Sequence, residues 1–349
     1  MATLRHTTTM LLAAAILAGP AVVNDAAAQL NENREKRAQT GFKFLSVSTH
    51  PRAAALGDAM TAMEGGAWMM FYNPAGMAHQ QDRLSVVLGT TQWIAGIDYS
   101  VAALSFRPFG GRLGVLGLTI RSVDYGSIQG AVRADNEQGF VDTPKLEPTA
   151  LSVGFGYAKA LTDRFSVGGH VKYATQDLGS TALTGSISDG VFTPETTSDD
   201  NIGVLAFDFG MLYKTGFRSL SFAVAARNFS EEIEYVSESF QLPLTLKIGV
   251  SMDVVDLLPS VSPSHQIIVA VEAENPRDFS ENIKTGIEYT FLNTLSLRAG
   301  YVVPTDEQGI NLGAGLGRDF GGLRLQVDYS YTDFGVFSDV QRIAFQFSF

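Results

Sequence analysis

Alternating apolar and polar residues through most of the chain predict an all-β fold, a transmembrane antiparallel β-barrel of about fourteen strands with a small helical plug near the N-terminus. Successive side chains of a strand point to opposite faces, so residues two apart share a face. The C-terminal segment 340–349 shows this pattern clearly. One of its faces carries only large apolar side chains, Ile343, Phe345, Phe347 and Phe349. A barrel built from such strands has an apolar, lipid-facing exterior and a polar lumen.

The composition agrees with a β-barrel in a membrane and argues against several other classes of protein. The 349 residues are 45% hydrophobic and 17% charged, with a formal net charge of −11. A membrane-spanning helix needs about 20 consecutive apolar residues, and no such run follows residue 30. The chain has no cysteine, which excludes disulfides, thiol chemistry and a lipoprotein anchor. The acidic balance and the lack of Lys/Arg clusters argue against nucleic acid as a partner.

Residues 1–28 have the pattern of a secretory signal peptide. Arg5 and His6 precede an apolar run over residues 10–18, and Ala26 and Ala28 have the spacing of a cleavage site. An uncleaved anchor is the alternative, but the run is shorter than the ~20 residues that cross a bilayer. We therefore predict cleavage after Ala28 and export to the outer membrane of a Gram-negative cell, where lipid surrounds the barrel.

Residues 29–82 are predicted to form a periplasmic segment and a lumen plug. Residues 29–40 are polar and charged, which is typical of a solvated segment. Pro51 is placed to begin an apolar helix that continues to Met63 and ends at Gly65 and Gly66. A second motif follows, in which Asn caps a turn and Pro takes its first position: Asn73, Pro74, Ala75 and Gly76. These segments are apolar without strand alternation, so they are expected inside the barrel.

Residues 83–349 are predicted to form the outer-membrane barrel. The fourteen predicted strands begin near Arg83, Ile97, Arg112, Thr149, Arg164, Ile202, Arg218, Pro243, Gln266, Glu281, Thr294, Gly309, Gly322 and Val340. Short and long links between them alternate, as they do in outer-membrane barrels. The long links are 125–148, 177–201 and 228–242, and the one exception to the alternation is the link 254–265. Acidic residues gather in the long links.

The chain resembles the PorV/PorQ family, which is itself similar to the FadL long-chain fatty-acid transporters. The resemblance is carried by the alanine-rich motif PRAAALGDA at 51–59 and by FYNPAGM at 71–77, which lies between that alanine-rich stretch and the first strand. It implies a fourteen-stranded barrel with an N-terminal plug. It also implies one of two functions, binding of exported proteins with a C-terminal sorting domain in type IX secretion, or passage of hydrophobic small molecules across the outer membrane. The secretion-associated function is our first expectation and the transporter is the alternative.

Two surfaces are candidates for binding. Methionine adapts to variable apolar ligands, and the plug is rich in it. The predicted hydrophobic ligand contacts are Met60, Met63, Trp68, Met70 and Phe71. Ordinary packing of the plug is the alternative for these residues. The long acidic links are the second candidate, as a surface for a basic protein partner, and a merely solvated surface is the alternative there.

The sequence predicts no enzyme, cofactor or metal site. His170 falls on the polar face of a strand, where a hydrogen-bond network in the lumen accounts for it better than a catalytic triad. His50 and His79 flank the plug without the spacing of metal ligands. By resemblance to outer-membrane proteins in general, the aromatic C-terminal strand is the signal for the barrel-assembly machinery, with Phe345, Phe347 and Phe349 as its residues.

Overall fold

The computed structural model describes residues 39–188, 191–235, 238–257, 262 and 264–349. These residues contain a closed barrel of fourteen antiparallel strands and two separate two-stranded sheets, which are β4–β5 and β10–β11. The strands are β1 (Leu84–Gln92), β2 (Asp98–Phe106), β3 (Val115–Asp124), β4 (Ala131–Arg133), β5 (Phe140–Asp142), β6 (Thr149–Ala160), β7 (Phe165–Ser188), β8 (Val191–Lys214), β9 (Ser221–Phe229), β10 (Ile233–Tyr235), β11 (Glu238–Phe240), β12 (Thr245–Asp253), β13 (His265–Pro276), β14 (Asn282–Phe291), β15 (Leu295–Val303), β16 (Asn311–Phe320), β17 (Leu323–Asp333) and β18 (Asp339–Ser348). The predicted fold class is confirmed.

The alternation along the strands separates a lipid-facing exterior from the lumen, as predicted. On β12, Leu246 is 46% exposed, whereas its neighbour Lys247 is 4% exposed and faces inward. On β18, Phe345 is 40% exposed and Arg342 is 3% exposed. The barrel closes by pairing β1 with β18, so the sheet leaves no open edge in the membrane.

Two ends of the barrel differ in their connections. The loop end carries residues 93–97, 125–148, 230–244, 277–281, 304–310 and 334–338. The turn end carries residues 107–114, 161–164, 215–220, 254–264, 292–294 and 321–322, together with Phe349. The long link at 254–264 lies at the turn end, as the sequence indicates. Every predicted barrel strand begins within three residues of its predicted position except β8.

The predicted loop at residues 177–201 is wrong, because β7 and β8 continue as a long hairpin beyond the barrel. Antiparallel pairing runs from Ser180 opposite Asp199 up to Ser188 opposite Val191, after a register shift at Asp177. The sequence of this extension is rich in Ser, Thr and Gly and lacks the regular apolar–polar alternation of the wall strands. Asp189, an acidic residue predicted for this loop, lies outside the described residues.

Short helices build the plug and several connections. The α-helix α1 (Pro51–Ala55) and the 3-10 helices Lys43–Ser46, Ala67–Phe71 and Pro74–His79 lie in the plug; the 3-10 helices Ile94–Gly96, Pro108–Gly111, Val254–Leu257 and Gly335–Phe337 lie in connections. The predicted helix over residues 51–63 is too long, because Gly57 and Asp58 have positive φ values of 62° and 65° and end it. In the described parts of the chain, no helix has the length and apolarity to cross a membrane.

The plug, residues 40–82, passes through the whole lumen. Thr40 forms a parallel bridge with Gln241 in a connection at the loop end. At the other end, the side chain of Arg107 donates to the Gln81 carbonyl (2.9 Å). The sequence predicts a periplasmic location for residues 29–40. Most of them, like the predicted signal peptide, lie outside the described residues. Thr40, however, lies at the loop end and not at the turn end, which is the periplasmic end of outer-membrane barrels.

Inward-facing glycines of the wall make room for the plug. A Cβ added to Gly168 on β7 would come within 2.5 Å of the Ala75 nitrogen, and one added to Gly286 on β14 would come within 2.6 Å of the Leu56 carbonyl oxygen. One added to Gly156 on β6 would come within 2.7 Å of the Met70 sulfur. These glycines interrupt the apolar–polar alternation of several strands. The close approach of the plug explains them, because a side chain at these positions would collide with the plug.

Candidate functional site

The motif at Asn73 to Gly76 fixes the last turn of the plug against the wall. Asn73 Nδ2 donates to the carbonyl oxygens of Thr61 (2.7 Å) and Met211 (3.2 Å), and its Oδ1 accepts from the Ala75 amide (3.0 Å). Asn73 therefore caps the 3-10 helix that begins at Pro74, as its position before a proline predicts. One side chain thus joins two segments of the plug to strand β8.

The predicted hydrophobic ligand contacts are all buried in the apolar core of the plug, and two of them also border open space. Phe71 lines a cavity beside the plug, and Met70 borders a narrow void next to it. Met60, Met63 and Trp68 line neither of the two spaces. Packing within the plug accounts for these three. A ligand contact at any of the five stays a prediction.

Ion pairs hold one side of α1 and the segment after it to the wall. Arg52 donates to both oxygens of Glu288 on β14 (2.8 and 2.7 Å). Glu272 on β13 accepts from the amides of Met60 (3.0 Å) and Thr61 (2.8 Å). The other oxygen of Glu272 accepts from Lys247 on β12 (3.0 Å). Each contact is a charge-assisted hydrogen bond in a buried place, where such bonds are strong.

His50 precedes α1 and is buried as a neutral imidazole. Its ring stacks on Trp68 with centroids 5.1 Å apart. Neither ring nitrogen has a hydrogen-bond partner within the described part of the chain. Burial lowers the pKa of His50 to about 4, and the cations Arg52 and Arg298 add to this, while Asp328 opposes it. His50 is therefore uncharged at neutral pH and is unsuited to binding an anion.

A cavity of about 540 Å³ lies between the plug and the wall near the loop end. Phe71 and Tyr72 of the plug form one side of it. Trp93 and Phe334 line it from two connections at the loop end, and their rings pack edge to face with centroids 5.1 Å apart. The cavity is therefore reached from the loop end and is closed toward the turn end by the plug core.

Charged side chains from the wall and the plug also line this cavity. They are Lys43, Asp58, Arg121, Arg227, Lys247, Glu274, Asp278, Lys284 and Arg342. The lysines have carboxylate partners: Lys43 pairs with Asp278, Lys284 with Glu274, and Lys247 with Glu272 and Glu274. The cavity therefore has a mixed lining of aromatic rings and charged groups, and not the uniformly apolar lining that the plug methionines predict.

A second cluster surrounds His170, which faces the lumen as predicted. Its Nδ1 lies 3.0 Å from Asp208 Oδ2, and its Nε2 lies 2.9 Å from Thr119 Oγ1. Lys172 donates to both Asp208 oxygens (2.8 and 2.7 Å). The void beside the cluster measures about 10 Å³, which is about the space of one water molecule. The order of Thr, His and Asp is that of a triad, but the place has no room for a substrate, so the arrangement supports a hydrogen-bond network in the lumen.

No group of three or more His, Asp or Glu side chains in the described residues is arranged to hold a metal ion. His50 and His79 lie on different parts of the plug. Arg121 and Arg227 line the cavity and are not among the residues predicted for a site. Their signal was present, because each is a charged residue at an inward position of a strand, 4% and 7% exposed.

The aromatic residues of the C-terminal strand lie on the exterior of the barrel. Phe345 is 40% and Phe349 is 51% exposed. The carbonyl oxygen of Phe349 accepts from the amides of Arg83 (2.7 Å) and Leu84 (3.2 Å), so the last residue also joins the two ends of the sheet. Recognition of these residues by the barrel-assembly machinery stays a prediction.

Comparisons with known proteins find the same fold in solved structures. The toluene transporter TbuX of Ralstonia pickettii matches with a TM-score of 0.53 at 14% identity, over 86% of this chain and 98% of that one. The CymD monoaromatic hydrocarbon channel matches with a TM-score of 0.52 at 13% identity, over 87% and 98%. The toluene transporter TodX of Pseudomonas putida matches with a TM-score of 0.50 at 12% identity, over 86% and 98%. No protein-family model and no curated protein matches the chain.

At these identities the similarity shows the fold and not the ligand. The fold and the apolar exterior of the barrel place the protein in an outer membrane. Membership of the PorV/PorQ family in particular is not shown by these comparisons. The chain therefore has the barrel fold of the FadL-type outer-membrane transporters.

Proposed function

We propose that this barrel passes small hydrophobic or amphiphilic molecules across the outer membrane through its lumen, as a FadL-like transporter. The observation that carries the proposal is the cavity of about 540 Å³ between the plug and the wall. Cavities of about 300–1,000 Å³ are typical of small-molecule sites. The fold that the chain shares with TbuX and CymD, described as a toluene transporter and a monoaromatic hydrocarbon channel, supports the same function.

The plug closes the lumen between the cavity and the turn end, so passage requires the plug to move. Met60, Met69 and Met77 are completely buried in its core. The plug is attached to the wall by side-chain hydrogen bonds, ion pairs and close packing, and it contributes no strand to the barrel. It is therefore able to shift without breaking the backbone hydrogen bonds that close the wall.

A disulfide that ties the plug to the wall tests this proposal, and the absence of native cysteines makes it practical. A Cβ on Gly249 of β12 would lie 3.4 Å from the Thr61 Cβ, close to the ~3.8 Å of a disulfide. We expect intact Gram-negative cells that produce the barrel to take up the hydrophobic dye N-phenyl-1-naphthylamine faster than cells without it. The oxidised Thr61→Cys/Gly249→Cys variant should lose this increase, and reduction should restore it.

A disulfide within the wall serves as the matched control. Gly89 and Ala344 are partners on β1 and β18, and a Cβ on Gly89 would lie 3.3 Å from the Ala344 Cβ. In the oxidised Gly89→Cys/Ala344→Cys variant, the disulfide joins two strands of the wall and does not constrain the plug. Its dye uptake should therefore equal that of the unmodified barrel. Equal uptake by the oxidised and reduced plug variant, or no increase from the unmodified barrel, would contradict transport past the plug.

The secretion-associated function rests on the resemblance of the sequence motifs to the PorV/PorQ family. The structure and the comparisons give it no support, and it stays a prediction. Its test is retention of exported proteins with a C-terminal sorting domain on the immobilised barrel. Removing the part of the β7–β8 hairpin beyond Asp177 should weaken that capture and leave dye uptake unchanged.

A further inference from the structure

Two arginines in the lumen have no carboxylate within ion-pair distance among the described residues. Arg121 on β3 and Arg227 on β9 are 4% and 7% exposed. Neither forms an ion pair with a described residue, whereas Arg52 and Arg298 are both paired with Glu288. An arginine stays protonated in a protein, and a buried charge without a partner is costly.

The guanidinium groups of both arginines also have free hydrogen-bond donors. The buried Nε of each has no partner among the described residues. Nη1 of Arg121 donates to the Phe44 carbonyl (2.9 Å), and its guanidinium carbon lies 5.2 Å from the centroid of the Phe71 ring. Each guanidinium has five N–H donors, so both retain capacity to bind an oxyanion.

The carboxylate near Arg227 is already occupied. Asp208 lines the same narrow void as Arg121 and Arg227. Its oxygens accept from Lys172, from His170 and from the backbone amide of Asn228 (2.7 Å). Both arginines line this void and the larger cavity, so a molecule that enters from the loop end would reach their side chains.

The rest of the cavity lining fits a compact ring better than a long alkyl tail. Phe71, Tyr72, Trp93 and Phe334 supply aromatic faces and edges. Nine charged residues share the lining with these rings, which suits an extended alkyl chain poorly. Aromatic rings pack favourably edge to face or offset at centroid distances of about 4.5–7 Å.

We propose that this cavity binds compact aromatic molecules that carry an oxyanion, with Arg121 and Arg227 holding the oxyanion and the aromatic side chains holding the ring. The proposal concerns the cavity on which the proposed function rests and names the class of molecule it selects. A planar guanidinium matches the two oxygens of a carboxylate or a phosphate. A neutral hydrocarbon would leave both arginines unpaired.

Calorimetric titration of the purified barrel, in a detergent with an uncharged head group, tests the proposal with four probes. They are 2-naphthoate, 2-naphthyl phosphate, the uncharged 2-naphthalenemethanol and dodecanoate. We expect both naphthyl anions to bind at least tenfold more tightly than the alcohol, because hydrogen bonds to a charged group are stronger than neutral ones. Dodecanoate should bind more weakly than 2-naphthoate.

Arg121→Gln and Arg227→Gln should each weaken binding of 2-naphthoate about 10- to 100-fold and leave binding of the alcohol unchanged. Arg324→Gln is the matched control, because Arg324 pairs with the exposed Asp319 at the turn end, and its affinities should equal those of the unmodified barrel. Equal binding of the naphthyl anions and the alcohol by the unmodified barrel would overturn the proposal, whether or not the variants fold. Tighter binding of dodecanoate than of 2-naphthoate would also overturn it.

These titrations measure binding without passage, so their outcome is separate from that of the dye-uptake experiment. Anion-selective binding in a barrel whose plug never moves would leave the binding site intact and refute transport. Plug-dependent uptake of the neutral dye, together with equal binding of 2-naphthoate and 2-naphthalenemethanol, would support transport and refute the anion site.

Discussion

Replacing Glu272 by glutamine is expected to loosen the plug and leave the barrel folded. Glu272 is 1% exposed, and its carboxylate accepts three hydrogen bonds, from the amides of Met60 and Thr61 and from Lys247. Glutamine has the same shape but no charge. Hydrogen bonds to a charged group contribute about 1.5–3 kcal/mol and neutral ones about 0.5–1.5 kcal/mol. Two of the three bonds hold the plug, and a glutamine oxygen can still accept both of them as neutral bonds, so the change weakens plug attachment by about 2 kcal/mol. Glu274 still neutralises Lys247.

Amide hydrogen exchange measures this effect where the plug opens. The Met63 amide donates to the Met60 carbonyl and does not contact Glu272, so its protection reports docking of the whole segment. A loss of about 2 kcal/mol corresponds to roughly 30-fold faster exchange, since about 1.4 kcal/mol is tenfold. The strands should keep their protection, because the backbone ladder that closes the wall does not involve Glu272.

The exposed carboxylate Asp319 supplies the control for this experiment. It pairs with Arg324 at the turn end, its side chain is 72% exposed, and such surface pairs contribute little. Asp319→Asn should therefore leave the protection of Met63 unchanged. Unchanged protection of Met63 in Glu272→Gln would show that Glu272 does not anchor the plug. Loss of protection along the strands would show that it supports the wall instead.

Three other changes test the plug and the closure of the barrel. Gly168→Ala should displace the plug and speed exchange of its amides, because the new Cβ would lie 2.5 Å from the Ala75 nitrogen, whereas Gly169→Ala, with its nearest contact at 3.8 Å, should have no effect. Acidification from pH 6.5 toward pH 4 should weaken plug docking by up to about tenfold per pH unit, because His50 has a pKa of about 4 when docked and near 6.5 when free; His50→Leu should remove this part of the pH dependence of exchange. Deleting Phe349 should slow barrel assembly more than Phe349→Ala does, as measured by the heat-dependent gel shift, since only the deletion removes the backbone bonds to β1.

The wall could be predicted from the sequence because lipid and lumen impose opposite demands on neighbouring residues. On β12, the alternation of Leu246 and Ile248 with Lys247 follows directly from this, and it also fixes the register of the strand. A strand whose two faces contact the same solvent has no need to alternate apolar and polar residues. This is why the extension of β7 and β8 beyond Asp177 reads as a loop in the sequence and forms a hairpin in the structure.

The plug was harder to predict, because its conformation depends on the wall around it. The alanines after Pro51 favour a helix over residues 51–63, but positive φ values at Gly57 and Asp58 end it after Ala55. Gly57 lies against β15, where a Cβ on it would be 3.0 Å from the Tyr301 carbonyl oxygen. This contact between the plug and the wall forms only in the folded protein, so no periodic pattern in the sequence predicts it.

The charges in the lumen are where the structure adds most to the sequence. The wall is closed by backbone hydrogen bonds and its exterior is matched to lipid, so the barrel does not need buried ions to fold, and buried ion pairs contribute little net stability. Glu272 and Glu288 are explained by the plug segments that they hold. Arg121 and Arg227 have no carboxylate partner in the described chain, although a neutral polar residue at the same inward positions, such as Thr119 next to Arg121 along the lumen face, would carry no such cost. This is the reason that we propose an anion from outside the chain as the partner of these two arginines.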